Sequence, residues 1–440
     1  MKRSSRGTLT TAAAWAGLSF VLGILFTSPV HGQTVRVTGA TPIGVETFHQ
    51  RRLALLDSLK DGAAVLYSSR REEASTGYRA DGSFWYLTGN DDPGAILLLL
   101  PGDPEDEILL LRPRDIEAER WTGDRPALTE SLQTAWGFDR IRRVDYLDWL
   151  ILRRMKHEHV LHLISSLAAP SDPVPPDLEL YGKVSARIPG VEIKNSSRLL
   201  ERMRVIKSDA EIAAIEKAIA VTHQGITDVL AAVRPGVTEF GLDGIFEESL
   251  KRRGAQHMAF EPIVGAGEET TVLHYEKQDQ TLAAGQLLLL DVGAEWDHYC
   301  ADISRTFPVD SAFSPEQAGI YDVVVAAQDA AIAAVKPGAT MRDVNEAARA
   351  VVRRAGYTDA LIHDISHHLG LEVHDGSGDG VSLEPGMVIT VEPGLYFRDK
   401  AIGVRLEDDV LVTATGNRLL SAAIPRDRAA VEAWLAAARK

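Results

Sequence analysis

Two stretches of nine residues, GQLLLLDVG at 285–293 and GMVITVEPG at 386–394, indicate the fold of the second half of this chain. Each begins with glycine and continues as an apolar run of strand length that ends at an acid, Asp291 in the first stretch and Glu392 in the second. Apolar runs bounded by glycine are typical of buried strands. Because a buried carboxylate is costly unless it is paired or bound to a metal, these two acids are candidate functional residues.

The segments that precede the two strands are also similar. AVRPGVT at 232–238 recurs as AVKPGAT at 334–340, which lies 102 residues further along. Ser208 and Glu211 have the spacing of a capping box, and Ser314 begins the equivalent helix of the second copy. We therefore predict an α/β (α+β) fold in which two similar helix–helix–strand halves pack face to face.

Four acids of the second half stand beside apolar, strand-like runs. Besides Asp291 and Glu392, Asp302 lies in the strand-like run YCADISRTF at 299–307, and Glu407 lies in GVRLEDDV at 403–410. Alternation along that last run predicts that Arg405 and Glu407 share one face. Histidines crowd the segment between these strands: His363, His367, His368 and His374. Four carboxylates with one imidazole suit Mn²⁺, Co²⁺ or Zn²⁺, and two such ions could share bridging acids.

The N-terminus has the pattern of an export signal. Lys2, Arg3 and Arg6 precede the apolar run 12–26, and small residues stand before position 33. This pattern predicts a secretory signal peptide over 1–32 and hence a secreted protein, in a bacterial periplasm. The alternative is an uncleaved anchor, but the apolar run is shorter than the ~20 residues that a spanning helix needs. We expect no stable membrane insertion.

Charge and cysteine usage exclude several classes of function. The formal net charge is −15, and an acidic chain without a basic run repels phosphate, so we expect no nucleic acid partner. Cys300 is the one cysteine of the sequence. A disulfide framework and a cysteine-based zinc site are therefore excluded.

The first half of the chain has a different organisation. Apolar runs at 63–67 and 95–100 predict buried strands, and 46–59 has helical spacing. The proline-rich stretch 169–176 predicts a connection between domains. The domains that we predict are an N-terminal α/β domain at 42–170, a linker region at 171–197 and a C-terminal domain at 198–430.

The order of the motifs resembles that of a known family. Six blocks of the second half stand in the family's order: HY at 274–275, DVG at 291–293, DISRT at 302–306, SHHLG at 366–370 with VHD at 373–375, VEPGLY at 391–396 and RLED at 405–408. In the first half, YR at 78–79 and FWYLTG at 84–89 resemble the family's N-terminal signature. Over nearly its whole predicted mature length, the chain is thus similar to the pita-bread metallopeptidases, in their aminopeptidase P and prolidase branch.

The resemblance implies a pita-bread catalytic domain with an internal pseudo-two-fold duplication and a site for two divalent ions. The expected metal is Mn²⁺, with Co²⁺ or Zn²⁺ as alternatives. By position, Asp291 would bind the first ion, Asp302 and Glu407 would bridge both ions, and His367 and Glu392 would bind the second.

Other residues acquire expected roles from the same resemblance. His274 and His374 would line the substrate cleft, assisting proton transfer and holding the scissile carbonyl or its oxyanion. Arg405 would support the ligands or the substrate, with Tyr396 as a weaker candidate for such a role. His363 would contact the residue on the proline side.

The function that the resemblance implies is that of an Xaa-Pro aminopeptidase, acting on peptides with proline at the second position through a metal-activated hydroxide. An X-Pro bond is a tertiary amide without an N–H, so a dedicated pocket is physically reasonable. The alternatives are an Xaa-Pro dipeptidase (prolidase) and a non-catalytic pita-bread binding protein. Family members are often oligomers, so we expect a homodimer or homotetramer.

Overall fold

The computed structural model describes residues 43–69, 78–376 and 381–440. The predicted signal peptide at 1–32 lies outside the described residues. Within the described part, no helix combines the length and the apolar composition that crossing a bilayer requires.

A six-stranded mixed sheet forms the N-terminal domain, with the strand order β4-β3-β2-β1-β5-β6. Its strands are β1 (Ala63–Tyr67), β2 (Ile96–Leu99), β3 (Glu107–Leu111), β4 (Arg140–Arg143), β5 (Val160–Leu163) and β6 (Glu192–Asn195). Its helices are α1 (Val45–Leu59), α2 (Gly82–Thr88), α3 (Ile116–Thr122), α4 (Glu130–Trp136), α5 (Leu147–Met155) and α6 (Pro176–Ser185). Alternate residues of the central strands pack against opposite layers, Ala64 and Leu66 on one side and Ala63 and Val65 on the other. This alternation follows from the two-residue period of a strand.

The predicted linker over 171–197 is wrong, because most of this stretch belongs to the N-terminal domain. It contains α6, and β6 pairs in parallel with β5 at the edge of the sheet. Pro175 and Pro176 begin α6 rather than breaking the chain, since proline is well tolerated in the first turn of a helix. The connection to the second half is α7 (Ser197–Val205).

The second half begins with the predicted helix pair and repeats it. The helices are α8 (Asp209–Ala232), α9 (Glu239–Arg252), α10 (Pro315–Ala334) and α11 (Met341–Arg354). Capping boxes start α8, from Ser208 and Glu211, and α10, from Ser314 and Gln317. The last helix, α12 (Arg428–Ala438), carries Trp434 against Phe307, so this domain continues beyond the predicted boundary at residue 430.

Four small antiparallel sheets of the second half carry the site. The strands are β7 (His257–Met258), β8 (Ile263–Ala266), β9 (Leu287–Val292), β10 (Ala294–Trp296), β11 (Tyr299–Cys300), β12 (Ile303–Pro308), β13 (Val388–Val391), β14 (Gly394–Phe397), β15 (Ile402–Arg405), β16 (Asp408–Val412) and β17 (Asn417–Leu419). The sheets have the orders β12-β9-β8, β11-β10-β7, β13-β16-β17 and β14-β15. The run 403–410 is therefore two strands in different sheets, and Leu406 and Glu407 lie at the break between them.

Candidate metal centre

Asp291 and Asp302 come together through the antiparallel pairing of β9 with β12. Asp291 faces Ser304 across the ladder, and Asp302 immediately precedes β12. Both carboxylates are buried. The prediction that a hairpin would bring these two acids to one place is thus met, although a second small hairpin, β10–β11, intervenes in the sequence.

Glu392 and Glu407 meet because β13 pairs with β16. Val391 faces Asp408 in that ladder, so the acids that adjoin the pair, Glu392 after β13 and Glu407 before β16, lie at the same end. The backbone N–H of Glu407 donates to the carbonyl of Ser304 at 3.1 Å, which ties this end to β12.

His367 lies among these acids. Its Nε2 is 3.5 Å from Asp302 Oδ2, 3.6 Å from Glu392 Oε1 and 4.0 Å from Glu407 Oε1. Ligand atoms of Asp302, His367 and Glu407 all lie within 4.8 Å of one another. His367 Nδ1 is 3.2 Å from the carbonyl of His368, to which it donates, and Nε2 is the ring nitrogen that faces the carboxylates.

Clustering of the acids makes their ionised forms costly. Burial raises the pKa of Asp302 and of Glu407 well above the usual range, and the neighbouring carboxylates raise both further. Burial also raises the pKa of Glu392, to about 7, although His367 and Arg405 act in the opposite direction. Without a cation, the protein therefore retains protons here at a pH where exposed acids have lost them.

The donor set fits divalent cations. Asp291 Oδ1 is buried and has no hydrogen-bond partner among the described residues. Oxygen donors with one imidazole suit Mn²⁺, Co²⁺ or Zn²⁺. The bond from His367 Nδ1 to a backbone carbonyl is the arrangement that orients metal-binding histidines in proteins generally.

Arg405 and Ser304 connect the acids to each other. Arg405 donates from Nη2 to Asp291 Oδ2 at 2.6 Å and from Nε to Ser304 Oγ at 2.9 Å. Ser304 Oγ in turn donates to Glu407 Oε2 at 2.8 Å. No role was predicted for Ser304 from the sequence, although it stands in the DISRT block, because a local pattern does not show that a hydroxyl connects two distant strands.

His363 and Tyr396 form a hydrogen-bonded pair beside Glu392. His363 Nδ1 donates to the carbonyl of Asp364 at 2.8 Å, so its Nε2 accepts from Tyr396 OH at 3.0 Å. The same hydroxyl accepts from Arg405 Nη1 at 3.1 Å. Burial lowers the pKa of His363 to about 4, which keeps the imidazole neutral at neutral pH.

His374 and His274 are the exposed members of the predicted set. The His374 ring stacks on the ring of His367, with centroids 4.0 Å apart and an interplanar angle of 10°. Burial lowers the pKa of His374 to about 4, and the charges of His367 and His274 lower it further. His374 is thus a neutral imidazole on the open side of the carboxylate cluster.

A further buried acid, Asp409, was missed by the sequence analysis. Its Oδ2 accepts from the backbone N–H of Asp302 at 3.3 Å, and Oδ1 has no hydrogen-bond partner among the described residues. Burial raises the pKa of Asp409 well above the usual range. Asp409 directly follows another acid, Asp408, and the sequence does not show which of the two lies at the site and which has a structural function.

Comparison with known protein families accounts for both halves of the chain. Residues 213–414 match Metallopeptidase family M24, and residues 48–162 match the aminopeptidase P N-terminal domain. The Xaa-Pro aminopeptidase of Escherichia coli (strain K12) is 33% identical over 442 residues, which cover 90% of this chain and 99% of that protein. The Xaa-Pro aminopeptidase of Haemophilus influenzae is 31% identical, with 88% and 96% covered.

Solved structures give the same result. Aminopeptidase P from Escherichia coli with the inhibitor Pro-Leu superimposes with a TM-score of 0.80 at 30% identity, covering 91% of this chain and all of that one (100%). Proline aminopeptidase P II from Yersinia pestis has a TM-score of 0.79 at 31% identity, with 90% and 100% covered. The N-terminal mixed sheet and the duplicated second half therefore have the arrangement of these enzymes.

Proposed function

The chain belongs to metallopeptidase family M24, and we propose that it is a metal-dependent Xaa-Pro aminopeptidase, which hydrolyses the bond between an N-terminal residue and a following proline. The likeness to Xaa-Pro aminopeptidases extends over 90% of the chain and includes both domains. The observation that carries the proposal is the convergence of Asp302, His367 and Glu407, with ligand atoms within 4.8 Å of one another, in a chain of this family.

The proposed centre holds two divalent ions, which we propose to be Mn²⁺. Asp291 would hold the first ion, and Asp302 and Glu407 would serve both ions. His367 and Glu392 bind the second ion. The burial of the acids supports this assignment, as does Asp291 Oδ1, which has no hydrogen-bond partner among the described residues.

Bound divalent ions supply a deprotonated water and polarise the scissile carbonyl. The residues of the chain orient the ligands and handle the protons. Arg405 fixes the orientation of the Asp291 carboxylate through the bond at 2.6 Å. His374, a neutral imidazole, can donate its ring N–H to the developing oxyanion, as an oxyanion-hole donor does. His274, which is also exposed, would line the substrate cleft with His374.

The proline side of the site is assigned to His363. Its ring is held by Tyr396 OH and by the carbonyl of Asp364, and its Nδ1 is 3.8 Å from Glu392 Oε2. A neutral, hydrogen-bonded ring offers a flat apolar face beside the acids. Such a face suits a pyrrolidine ring, which has no N–H to satisfy.

The test is cleavage by the full-length protein after removal of metal and reloading with Mn²⁺. The substrates are an Arg-Pro-Pro tripeptide and an Ala-Pro dipeptide, with mass spectrometry as the readout and a chelator as the control. Release of free arginine from the tripeptide is expected. Cleavage of the dipeptide alone identifies a dipeptidase, and cleavage of neither peptide with metal bound supports a binding protein instead.

Export and oligomeric state are separate parts of the proposal. The N-terminal charge and apolar run support cleavage after residue 32 and secretion, with a bacterial periplasm as the destination. We expect a processed N-terminus by mass spectrometry of the protein released by osmotic shock. We also propose a homodimer or homotetramer, which light scattering of the purified protein tests; a monomer would contradict it.

A further inference from the structure

The chain between Asp291 and Asp302 forms a small hairpin with a two-residue tip. We name residues 293–301 the inter-ligand hairpin; it contains β10 and β11, and Trp296 faces Tyr299 in its ladder. The tip residues Asp297 and His298 have φ of 49° and 68°. Positive φ at both tip residues is typical of the tight two-residue turns that hairpins favour, and contacts outside the hairpin fix its position against the rest of the protein.

The N-terminal domain supplies such contacts. The indole ring of Trp85 stacks on the ring of His298, with centroids 4.5 Å apart and an interplanar angle of 23°. His298 Nε2 lies 2.9 Å from Asp91 Oδ2. Arg79 Nη2 is 3.3 Å from the carbonyl of His298, and Arg79 Nε binds the carboxylate of Glu295. The inter-ligand hairpin, which connects β9 to β12, is therefore held by residues of a different domain.

Arg79 also holds a second loop of the site. We name residues 368–375 the histidine loop, because this segment follows His367 and contains His374. Arg79 Nη2 donates to the carbonyl of Leu371, and Nη1 pairs with Glu372 Oε1 at 3.2 Å. The two loops are also joined directly, since the N–H of Cys300 donates to the carbonyl of Gly370 at 2.8 Å.

Close packing against the N-terminal domain reinforces this arrangement. A β-carbon added to Gly82, at the start of α2, would lie 2.4 Å from Glu372 Oε1. The Glu372 side chain of the histidine loop thus lies directly against the backbone at the start of α2. The Arg79 side chain is 22% exposed and that of Glu295 is 3% exposed, so the contacts of Arg79 are largely shielded from water.

We propose that Arg79, a residue of the N-terminal domain, is a positioning residue for the metal centre. It holds the inter-ligand hairpin and the histidine loop in one relative arrangement, and so sets the spacing of Asp291 and Asp302 against His367 and His374. The proposal rests on the proposed metallopeptidase function. A planar guanidinium suits this role because its five N–H donors can bind several acceptors at once, whereas an ammonium group lacks this fixed geometry.

The test compares three variants of the full-length protein. Arg79→Gln removes the charge and most of the donors, and Arg79→Lys keeps the charge alone. Arg153→Gln is the control, because Arg153 is a partly exposed arginine of the same domain that pairs with Asp103. The Mn²⁺ dissociation constant of the metal-free protein is measured by the paramagnetic resonance signal of free Mn²⁺. For each variant, kcat and KM on the tripeptide are measured at saturating Mn²⁺, together with the melting temperature.

We expect Arg79→Gln to weaken Mn²⁺ binding by about tenfold or more, the usual range for residues that orient ligands from outside the metal's own shell. At saturating Mn²⁺, kcat is expected to fall while KM changes little. Arg79→Lys should recover part of the Mn²⁺ affinity and part of kcat, and Arg153→Gln should leave the Mn²⁺ affinity and kcat unchanged. Wild-type Mn²⁺ affinity and kcat in Arg79→Gln, whatever its melting temperature, would overturn the proposal.

A second variant covers the case in which Arg79→Gln does not fold. His298→Asn keeps a residue that tolerates positive φ but loses the stack on Trp85. It should also weaken Mn²⁺ binding, and an unchanged affinity would count against the proposal. The two failures are distinguishable: Mn²⁺ binding that weakens in these variants without any X-Pro cleavage by the wild type refutes the proposed function alone. Absence of Mn²⁺ binding by the wild type refutes both.

Discussion

Glu407 and Asp408 are consecutive buried acids with opposite surroundings. Asp408 Oδ1 accepts from Arg305 Nη2 at 2.7 Å and from Ser421 Oγ at 2.5 Å, and its Oδ2 accepts from Gln328 Nε2 at 2.8 Å. Both Arg305 and Asp408 have no exposed side-chain surface. Asp408 is therefore a fully compensated charge, as a buried carboxylate of structural function must be.

Glu407 points into a group of like charges instead. Ser304 Oγ donates to Glu407 Oε2 at 2.8 Å. Burial is the largest cause of the raised pKa of Glu407, and the carboxylates of Asp302, Glu392 and Asp291 raise it further. The same strand connection thus places one acid where the protein neutralises it and the next where the protein does not. The difference indicates that the uncompensated cluster is maintained for a cation rather than for the stability of the fold.

The largest expected effect comes from Glu407→Gln. Loss of this proposed metal-binding carboxylate should reduce cleavage of the tripeptide about a thousandfold, which corresponds to about 4 kcal/mol of transition-state stabilisation. The metal-free variant should nevertheless melt at a higher temperature than the metal-free wild type, because glutamine is neutral without the proton uptake that burial of Glu407 requires. Glu316→Gln, at an exposed acid that pairs with Lys400, is the control. A lower melting temperature for metal-free Glu407→Gln would contradict the comparison.

Asp408→Asn should lower the stability of the protein but leave its metal binding unchanged. It leaves Arg305 buried without its counter-charge, so we expect a loss of about 3 kcal/mol in the free energy of unfolding. Urea titration of the metal-free protein measures this loss, and metal analysis of the folded fraction should give the wild-type stoichiometry. Unchanged stability in this variant would show that the two acids do not differ as proposed.

Metal loading should stabilise the wild type by a smaller amount. Mn²⁺ at a hundred times its dissociation constant adds about 2.7 kcal/mol to the free energy of unfolding if it binds the folded state alone. Scanning calorimetry with and without Mn²⁺ measures this gain. Asp302→Asn should lose most of it, and a full gain in that variant would exclude Asp302 as a ligand.

The smallest effect is a pH dependence of the metal-free protein. The folded-state pKa of Glu392 is raised from its ordinary value of 4.5 to about 7, so the folded state holds more protons than the unfolded state between these values. The stability is therefore expected to fall as pH rises through this window, with a slope on the order of 1 kcal/mol per pH unit. Glu392→Gln should flatten the profile, and a stability that rises with pH across the window in the wild type would have the wrong sign.

Local patterns were sufficient for a large part of the fold. The capping box at Ser208, the start of the helix at Ser314 and the apolar runs before Asp291 and Glu392 are short-range features, and the elements that they predict are present. The linker prediction failed because strand pairing is not a local feature. The stretch 171–197 has the composition of a linker, but β6 is assigned to the sheet by pairing with β5, which a local pattern does not encode.

The sequence by itself determined which elements form and which residue types end their strands, because capping, periodicity and chain-breaking residues act over a few positions. It also placed the motifs of the family in order. Only the tertiary structure decided that Ser304 bridges Arg405 and Glu407, that Asp408 is neutralised by Arg305 whereas Glu407 is not, and that Arg79 reaches two loops of the other domain. These contacts join residues far apart in the chain, and their existence depends on how the strands and domains pack rather than on any neighbouring residue.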